Sequence, residues 1–493
     1  MRDASPNPSD LTLSKRKRSY PNILPAGVRQ LSSDIQGDEW ERFYFHRFRF
    51  EAFKGLVLHS ANSGSFWEGL VPRFAHYSDA VRHAIIALGS TYHLEFQQRT
   101  SGTPRLEAFT LQQYNKAIQA LRGPIPGTPI VQVEISLICC LAFMCIESLR
   151  NNKQGSILHL ENGLQIIGQF PTELLAYVVS SKADSDPNRY DERLTRSEMK
   201  QFLAYFQDLE VGTQVFGAPA KPVLSLRMYE ITKGDDGPWE EYKTLHQCHT
   251  TLIRYGHNVH ARIWQTLPYK GDQEFWSRPE QIQEHKHLLD RGRRVIEMTD
   301  RFMSSPAAPD RDRDRAGCIS GTLDKMHARG VFLMAQYMPE NINRRQLQRL
   351  DPEWSEVATL VESLYHLIRS PSDPVSDDSG RSSTLHDATR AITLDNGLLI
   401  GIHATLYGSG NRDTRRRVMD VLRRMQNRRE GLYDATVLLR VFEAMGADGH
   451  GTYASELLLD EPAGPGLSGV NGLIGLEARL AELHIGWKDT NKQ

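Results

Sequence analysis

Cysteine is scarce in this chain of 493 residues, which carries only Cys139, Cys140, Cys145, Cys248 and Cys318. An odd count with three members inside one apolar run excludes a disulfide framework and suits thiols used as small apolar residues in a reducing compartment. Net charge is also missing. With 59 basic against 60 acidic residues the formal charge is −1, so no global field recruits nucleic acid or an anionic membrane, and any DNA contact has to be local. The opening MRDASPNPSD has no hydrophobic stretch of the secretory kind. Long apolar runs are absent as well. The most apolar stretch, Leu137 to Ile146, lies between Glu134 and Glu147 and is too short to span a bilayer, so a buried helix is expected and no membrane partner. Catalytic frames are missing too: there is no P-loop, no G-x-S-x-G and no H-E-x-x-H. Gly464-Pro465-Gly466-Leu467-Ser468-Gly469 fits G-x-G-x-x-G by letter, but proline interrupts it and no strand precedes it, which predicts a loop. A catalytic set built from distant residues stays open, since such sets are defined in space.

What the chain does have is helical periodicity. Residues 1 to 38 are rich in Ser, Pro and Asp without apolar period and predict a mobile tail. That tail carries Lys15-Arg16-Lys17-Arg18, either a nuclear-import signal or a solvated charge run. From Glu39 the sequence turns aromatic, and a first helix is expected there. Within Phe66 to Phe96, Val81, Ala84, Ile85, Leu88 and Tyr92 share one face of a helix capped by Ser78 or Asp79. Thr103-Pro104 restarts a helix with a Leu111, Tyr114, Ile118 and Leu121 stripe, which Gly123-Pro124 stops. The apolar helix from Val131 to Leu149 follows, broken at Asn151-Asn152. A further helix sets Ile157, Leu160, Leu164 and Ile167 on one face. Short turns between such helices predict an all-α fold, a large array of antiparallel helices of the bundle or solenoid kind. YNKAIQAL resembles part of a tetratricopeptide repeat, without a fixed period to extend it.

The expected organisation is a tail over 1–38, a helical block over 39–180, a polar linker to about 197, a second helical block over 198–445 and an extension over 446–493. Loops near 304–317 and 370–383, rich in breakers and charge, divide the second block. His246, Cys248, His249, His257 and His260 form a ligand-like cluster without a supporting metal frame, and ordinary helix histidines are expected. Glu284-His285-Lys286-His287 predicts a solvated face. No metal, cofactor or catalytic residue is assigned. Arg412, Arg415, Arg416, Arg417, Arg423, Arg424, Arg428 and Arg429 are dense enough for phosphate contact. Val418, Val421, Leu422 and Met425 nonetheless give the same helix a buried stripe, so its arginines are expected on the flanks and the solvent side, paired with carboxylates such as Glu430 and Asp434.

Three stretches carry a family resemblance. Phe66 and Trp67 in FW-x-x-LVP, followed by AVRHAIIALG with His83, open the pattern. QFLAYFQDLEVGTQVFGAP gives its middle. Asp395-Asn396-Gly397-Leu398-Leu399, Asn411-Arg412-Asp413 and then Arg428-Arg429-Glu430-Gly431-Leu432-Tyr433-Asp434 close it. In this order, from about Glu39 to Met445, they resemble the regulatory region of fungal zinc-cluster transcription factors, the fungal-specific transcription factor domain. Two departures stand out: Gly410-Asn411 replaces the cysteine usual before Arg412, and Ile400-Gly401 replaces the common proline and leucine. The family's six-cysteine zinc cluster is not present, since the first cysteine is Cys139.

The resemblance implies a nuclear regulator of catabolic or secondary-metabolite genes, responsive to a small-molecule effector or to a partner, and able to homodimerise. Without the cluster it implies DNA contact borrowed from a transcription factor or co-regulator, or a gene model that lost its first exon. The alternative is a cytoplasmic homologue that has lost DNA binding and become a ligand-binding protein or an enzyme of a biosynthetic pathway.

Overall fold

A computed structural model describes residues 35–52, 66–96, 103–124, 129–179, 194–214, 222–232, 241–339, 349–369, 392–393, 397–426, 428–431 and 433–444. The basic run 15–18, most of the polar linker, the 370–383 loop, the extension 446–493 with its glycine run, Asp395-Asn396 and Leu432 lie outside the described residues. All described residues belong to one compact unit.

The protein is all-α, with seventeen α-helices among the described residues. In chain order they are α1 Glu39–Arg47, α2 Val71–Ala75, α3 Asp79–Phe96, α4 Thr103–Arg122, α5 Pro129–Leu149, α6 Lys153–Gly168, α7 Thr172–Val179, α8 Arg196–Gln214 and α9 Val223–Thr232. Then come α10 Leu245–Thr266, α11 Gln273–Trp276, α12 Pro279–Met303, α13 Arg315–Gln336, α14 Asp351–Ile368, α15 Leu398–Gly408, α16 Arg412–Arg424 and α17 Ala435–Ala444. One small sheet joins β1 Ile392–Thr393, parallel, to β2 Arg429–Glu430, which pairs antiparallel with β3 Tyr433–Asp434.

The N-terminal core forms around α3, whose start is fixed by Ser78: its hydroxyl accepts from the Val81 N–H at 3.4 Å. The predicted face of Val81, Ala84, Ile85, Leu88 and Tyr92 is buried. Ala80, Ile86, Ala87, Ser90 and Thr91 are buried too, so α3 is buried by α1, α4 and α5 around more of its circumference than the single predicted face. Its hydroxyls are satisfied internally, with Ser90 and Thr91 both donating to the Ala87 carbonyl at 3.0 and 2.8 Å.

In α4 the buried stripe is Leu106, Thr110, Gln113 and Ala117, one step around the helix from the predicted one. Leu111 is exposed, and Tyr114, Ile118 and Leu121 pack only at the margin. The deviation follows from polar partners. Thr110 donates to Ser90 at 2.9 Å and Gln113 to Glu41 at 2.9 Å, and these contacts set the rotation.

Helix α5 is long and apolar enough to cross a membrane by length and composition, yet most of it is buried in protein. Asn151 ends it in the left-handed region at φ 58°, and Asn152 caps α6 by accepting from the Gly155 N–H at 3.1 Å. The 304–317 segment is shorter than predicted. Residues 305–314 form turns, and Asp314 caps α13 by accepting from Gly317 N–H at 2.9 Å, so the helix begins at Arg315. Two further cores lie along the second half: one under α10, α12 and α13, the other among α13 to α17.

Candidate functional site

The closing motif RREGLYD is the most interconnected of the resemblance-bearing stretches. Its glycine, at φ 56°, turns β2 back on β3 so that Arg429 faces Asp434 and Glu430 faces Tyr433. Arg428 and Glu430 form a buried ion pair, Nε to Oε1 at 2.5 Å, with side-chain exposures of 0% and 1%. Glu430 also accepts from the Leu399 N–H at 2.5 Å, so a carboxylate supplies the partner for an orphan donor in the first turn of α15. The close approach demands glycine before that helix. A Cβ at Gly397 would stand 2.7 Å from the Glu430 carboxylate. The Gly397 carbonyl in turn accepts from His327 Nε2 at 3.1 Å, a contact in which the ε nitrogen carries the proton.

The hairpin reaches across the molecule. Arg429 donates to the Leu149 carbonyl at 3.0 Å, while the Ser148 hydroxyl donates to the Gly431 carbonyl at 3.1 Å. Arg429 also pairs with Asp434 at 3.3 Å. Asp434 accepts from the N–H groups of Thr436 and Val437 at 2.9 and 3.2 Å, capping α17. Tyr433 is buried beside His403. Each described side chain of the motif therefore has a structural task.

The opening motif is likewise absorbed by the core. Trp67 is fully buried, with Phe66 at 4.9 Å and Phe48 at 6.1 Å between ring centroids, and Phe66 reaches Phe202 and Tyr205 of α8. His83 donates through Nδ1 to Gln113 Oε1 at 2.6 Å, and Gln113 donates on to Glu41. Burial lowers the pKa of His83 below the ordinary imidazole value. Glu41 meets Lys116 at 2.8 Å. Burial opposes its ionisation, but hydrogen bonds from Lys116, Gln113 and the Asp38 backbone outweigh it and hold the pKa down at about 2. Glu41 was not singled out from sequence, although Asp38-x-x-Glu41 is a visible capping box, and both of its reciprocal bonds form.

The histidines of α10 separate into different pairs. His249 bonds Asp324 and His257 bonds Asp208, each at 2.8 Å, while Cys248 donates to the Thr299 hydroxyl at 3.4 Å. His260 is held neutral by burial, its pKa lowered to about 4. Among the described residues no group of three or more ligating side chains could hold a metal ion. Burial pushes the Cys140 and Cys248 thiols up to about 12 and raises those of Cys139 and Cys145, which leaves them un-ionised and poor nucleophiles.

In the 284–287 run Lys286 and His287 are exposed, while Glu284 and His285 are partly buried and engaged by neighbours. Glu284 accepts from the Tyr229 hydroxyl at 2.7 Å and pairs with Arg262 at 3.1 Å. His285 packs edge-on to Trp276.

Four of the six arginines of α16 are engaged by other groups, and Arg412 and Arg424 are exposed. Val418, Val421, Leu422 and Met425 form the buried stripe. Arg417 grips Glu362 through Nε at 3.0 Å and Nη2 at 2.5 Å, Arg423 pairs with Asp420 and Glu443, and Arg416 with Asp413. Arg415 and Arg428 are buried rather than on the flanks; Arg415 donates to the Ser409 carbonyl at 2.9 Å. Such a helix presents few free cations for phosphates. Compared with family models, with curated proteins and with solved structures, the chain matches none.

Proposed function

We propose that the protein is a transcription regulator built on a helical body like that of fungal zinc-cluster factors, acting in the nucleus on metabolic or secondary-metabolite genes. The observation that carries this reading is the RREGLYD hairpin. Its residues tie the C-terminal core to the last turn of α5, which packs on α3 of the opening stretch, so the first and last of the resembling stretches are joined through one helix. DNA contact comes through a partner transcription factor or co-regulator, because Arg415 of α16 is buried and Arg416, Arg417 and Arg423 are paired with carboxylates. Homodimerisation and response to a small effector belong to the same proposal.

The test is chromatin occupancy of the tagged protein in its own host, together with imaging of the tag. Nuclear signal with promoter peaks that vanish when the partner is depleted is the expected result. A cytoplasmic signal without peaks overturns the regulator and favours the alternative, a ligand-binding protein or pathway enzyme.

A further inference from the structure

Helix α12 has one partly exposed face. Ile282, Lys286, Leu289 and Arg293 fall at i, i+4, i+7 and i+11 along it, and they floor a cleft of about 330 Å³ closed at its sides by Trp276 and Pro339. This volume lies at the lower end of the range for small-molecule sites.

The walls are built before any ligand arrives. The Trp276 indole N–H donates to the Tyr269 carbonyl at 2.9 Å, and Tyr269 stacks on Phe275 with centroids 4.1 Å apart. That bond fixes the indole ring against His285, 5.6 Å away and edge-on. The His285 ring lines the cleft, while its Nδ1 is closed off from solvent. Ile282, more than half exposed, extends the apolar floor to the rim.

The charges have a definite sign. Asp290 and Arg293 neutralise each other at 2.6 Å, and the Arg293 guanidinium also lies over the Phe332 ring. Lys286 has no carboxylate partner among the described residues, and it is the uncompensated charge of the cleft. An aromatic and aliphatic floor with one free ammonium suits a flat apolar group that carries a single negative charge.

We infer that this cleft is a binding site for a small aromatic carboxylate, its ring against Trp276 and Ile282 and its carboxylate on Lys286. The inference goes beyond the regulatory reading and does not depend on it, since a carrier or an enzyme would bind the same chemistry there.

The test is calorimetric titration of the full chain with 2-naphthoate and, separately, with neutral 2-naphthamide. Two variants change solvent-facing side chains, Lys286→Gln and Ile282→Glu, with circular dichroism to establish that each keeps its helical fold. Saturable one-to-one binding of 2-naphthoate is expected, at least fivefold weaker in each variant, and 2-naphthamide is expected to bind at least fivefold more weakly than the acid. Absence of saturable binding, a loss of less than fivefold in either variant, or equal binding of acid and amide overturns the site. Because the readout is binding by purified protein, its failure is separate from a failure of the nuclear reading.

Discussion

Arg429 donates to the carbonyl oxygen of Leu149, 280 residues earlier, at 3.0 Å. That carbonyl belongs to the last turn of α5, where helix geometry leaves acceptors without intrahelical donors. The hairpin therefore completes a helix of another core. Arg429→Ala is expected to lower stability by about 1–3 kcal/mol in chemical denaturation, and Arg429→Lys to recover only part, since a single ammonium cannot serve both the carbonyl and Asp434 in a planar fork. Equal stability of all three proteins would show the contact to be idle.

The buried Arg428–Glu430 pair predicts an asymmetric response. Arg428→Met leaves the Glu430 carboxylate desolvated and is expected to cost about 3–5 kcal/mol. Adding Glu430→Gln to that variant removes the stranded charge while keeping an acceptor for Leu399, so the double variant should be more stable than Arg428→Met alone. Denaturant midpoints of the set decide it, and simple additivity would contradict the assignment.

Two helical glycines should respond oppositely to alanine. A Cβ at Gly408 runs into the buried ring of Trp354, whereas one at Gly330 meets nothing within 4 Å. Gly408→Ala is expected to destabilise by about 1–3 kcal/mol through overpacking. Gly330→Ala, inside α13, should stabilise by up to about 1 kcal/mol through helix propensity. Thermal melts of both variants check the pair, and the same sign in each would contradict it.

Acid should weaken the protein in two steps. His403 sits among Tyr407, Tyr433 and Phe442, and burial lowers its pKa to about 4 against 6.5 when solvated. The unfolded chain therefore takes up that proton first, and the stability this imidazole contributes above pH 6.5 is lost as pH falls towards 4. Glu41 follows. With a pKa of about 2 against 4.5, its contribution is complete above pH 4.5 and disappears as pH drops towards 2. Denaturation across pH 7 to 2 should show a shallower loss in His403→Phe above pH 4 and in Glu41→Gln below pH 4.5. Unchanged profiles would reject both.

The helix-rich class was legible because apolar spacing is a local signal. Residues such as Leu160, Leu164 and Ile167 keep their face wherever α6 packs. Rotation about a helix axis was less legible. Leu111 reads as core by spacing but is exposed, because Thr110 and Gln113 have partners on α3 and α1 that no window around α4 contains. The closing motif shows the same limit. Its letters pick out Arg428 and Glu430, but whether an arginine faces DNA or a carboxylate depends on a fold-level pairing. The small cleft beside α12 combines Pro339 with residues some fifty to sixty positions upstream, and nothing in the charge run at 284–287 indicates that Glu284 turns inward while Lys286 stays out.

The clasp on Leu149 also imposes an order in time. At a synthesis rate of 5–20 residues per second, Arg429 emerges about 15 to 55 seconds after the helix whose end it completes. During that interval the Arg429 donor is missing from the Leu149 carbonyl, so a chaperone or a ribosome-tethered fragment would encounter an α5 terminus that the finished protein covers with its hairpin.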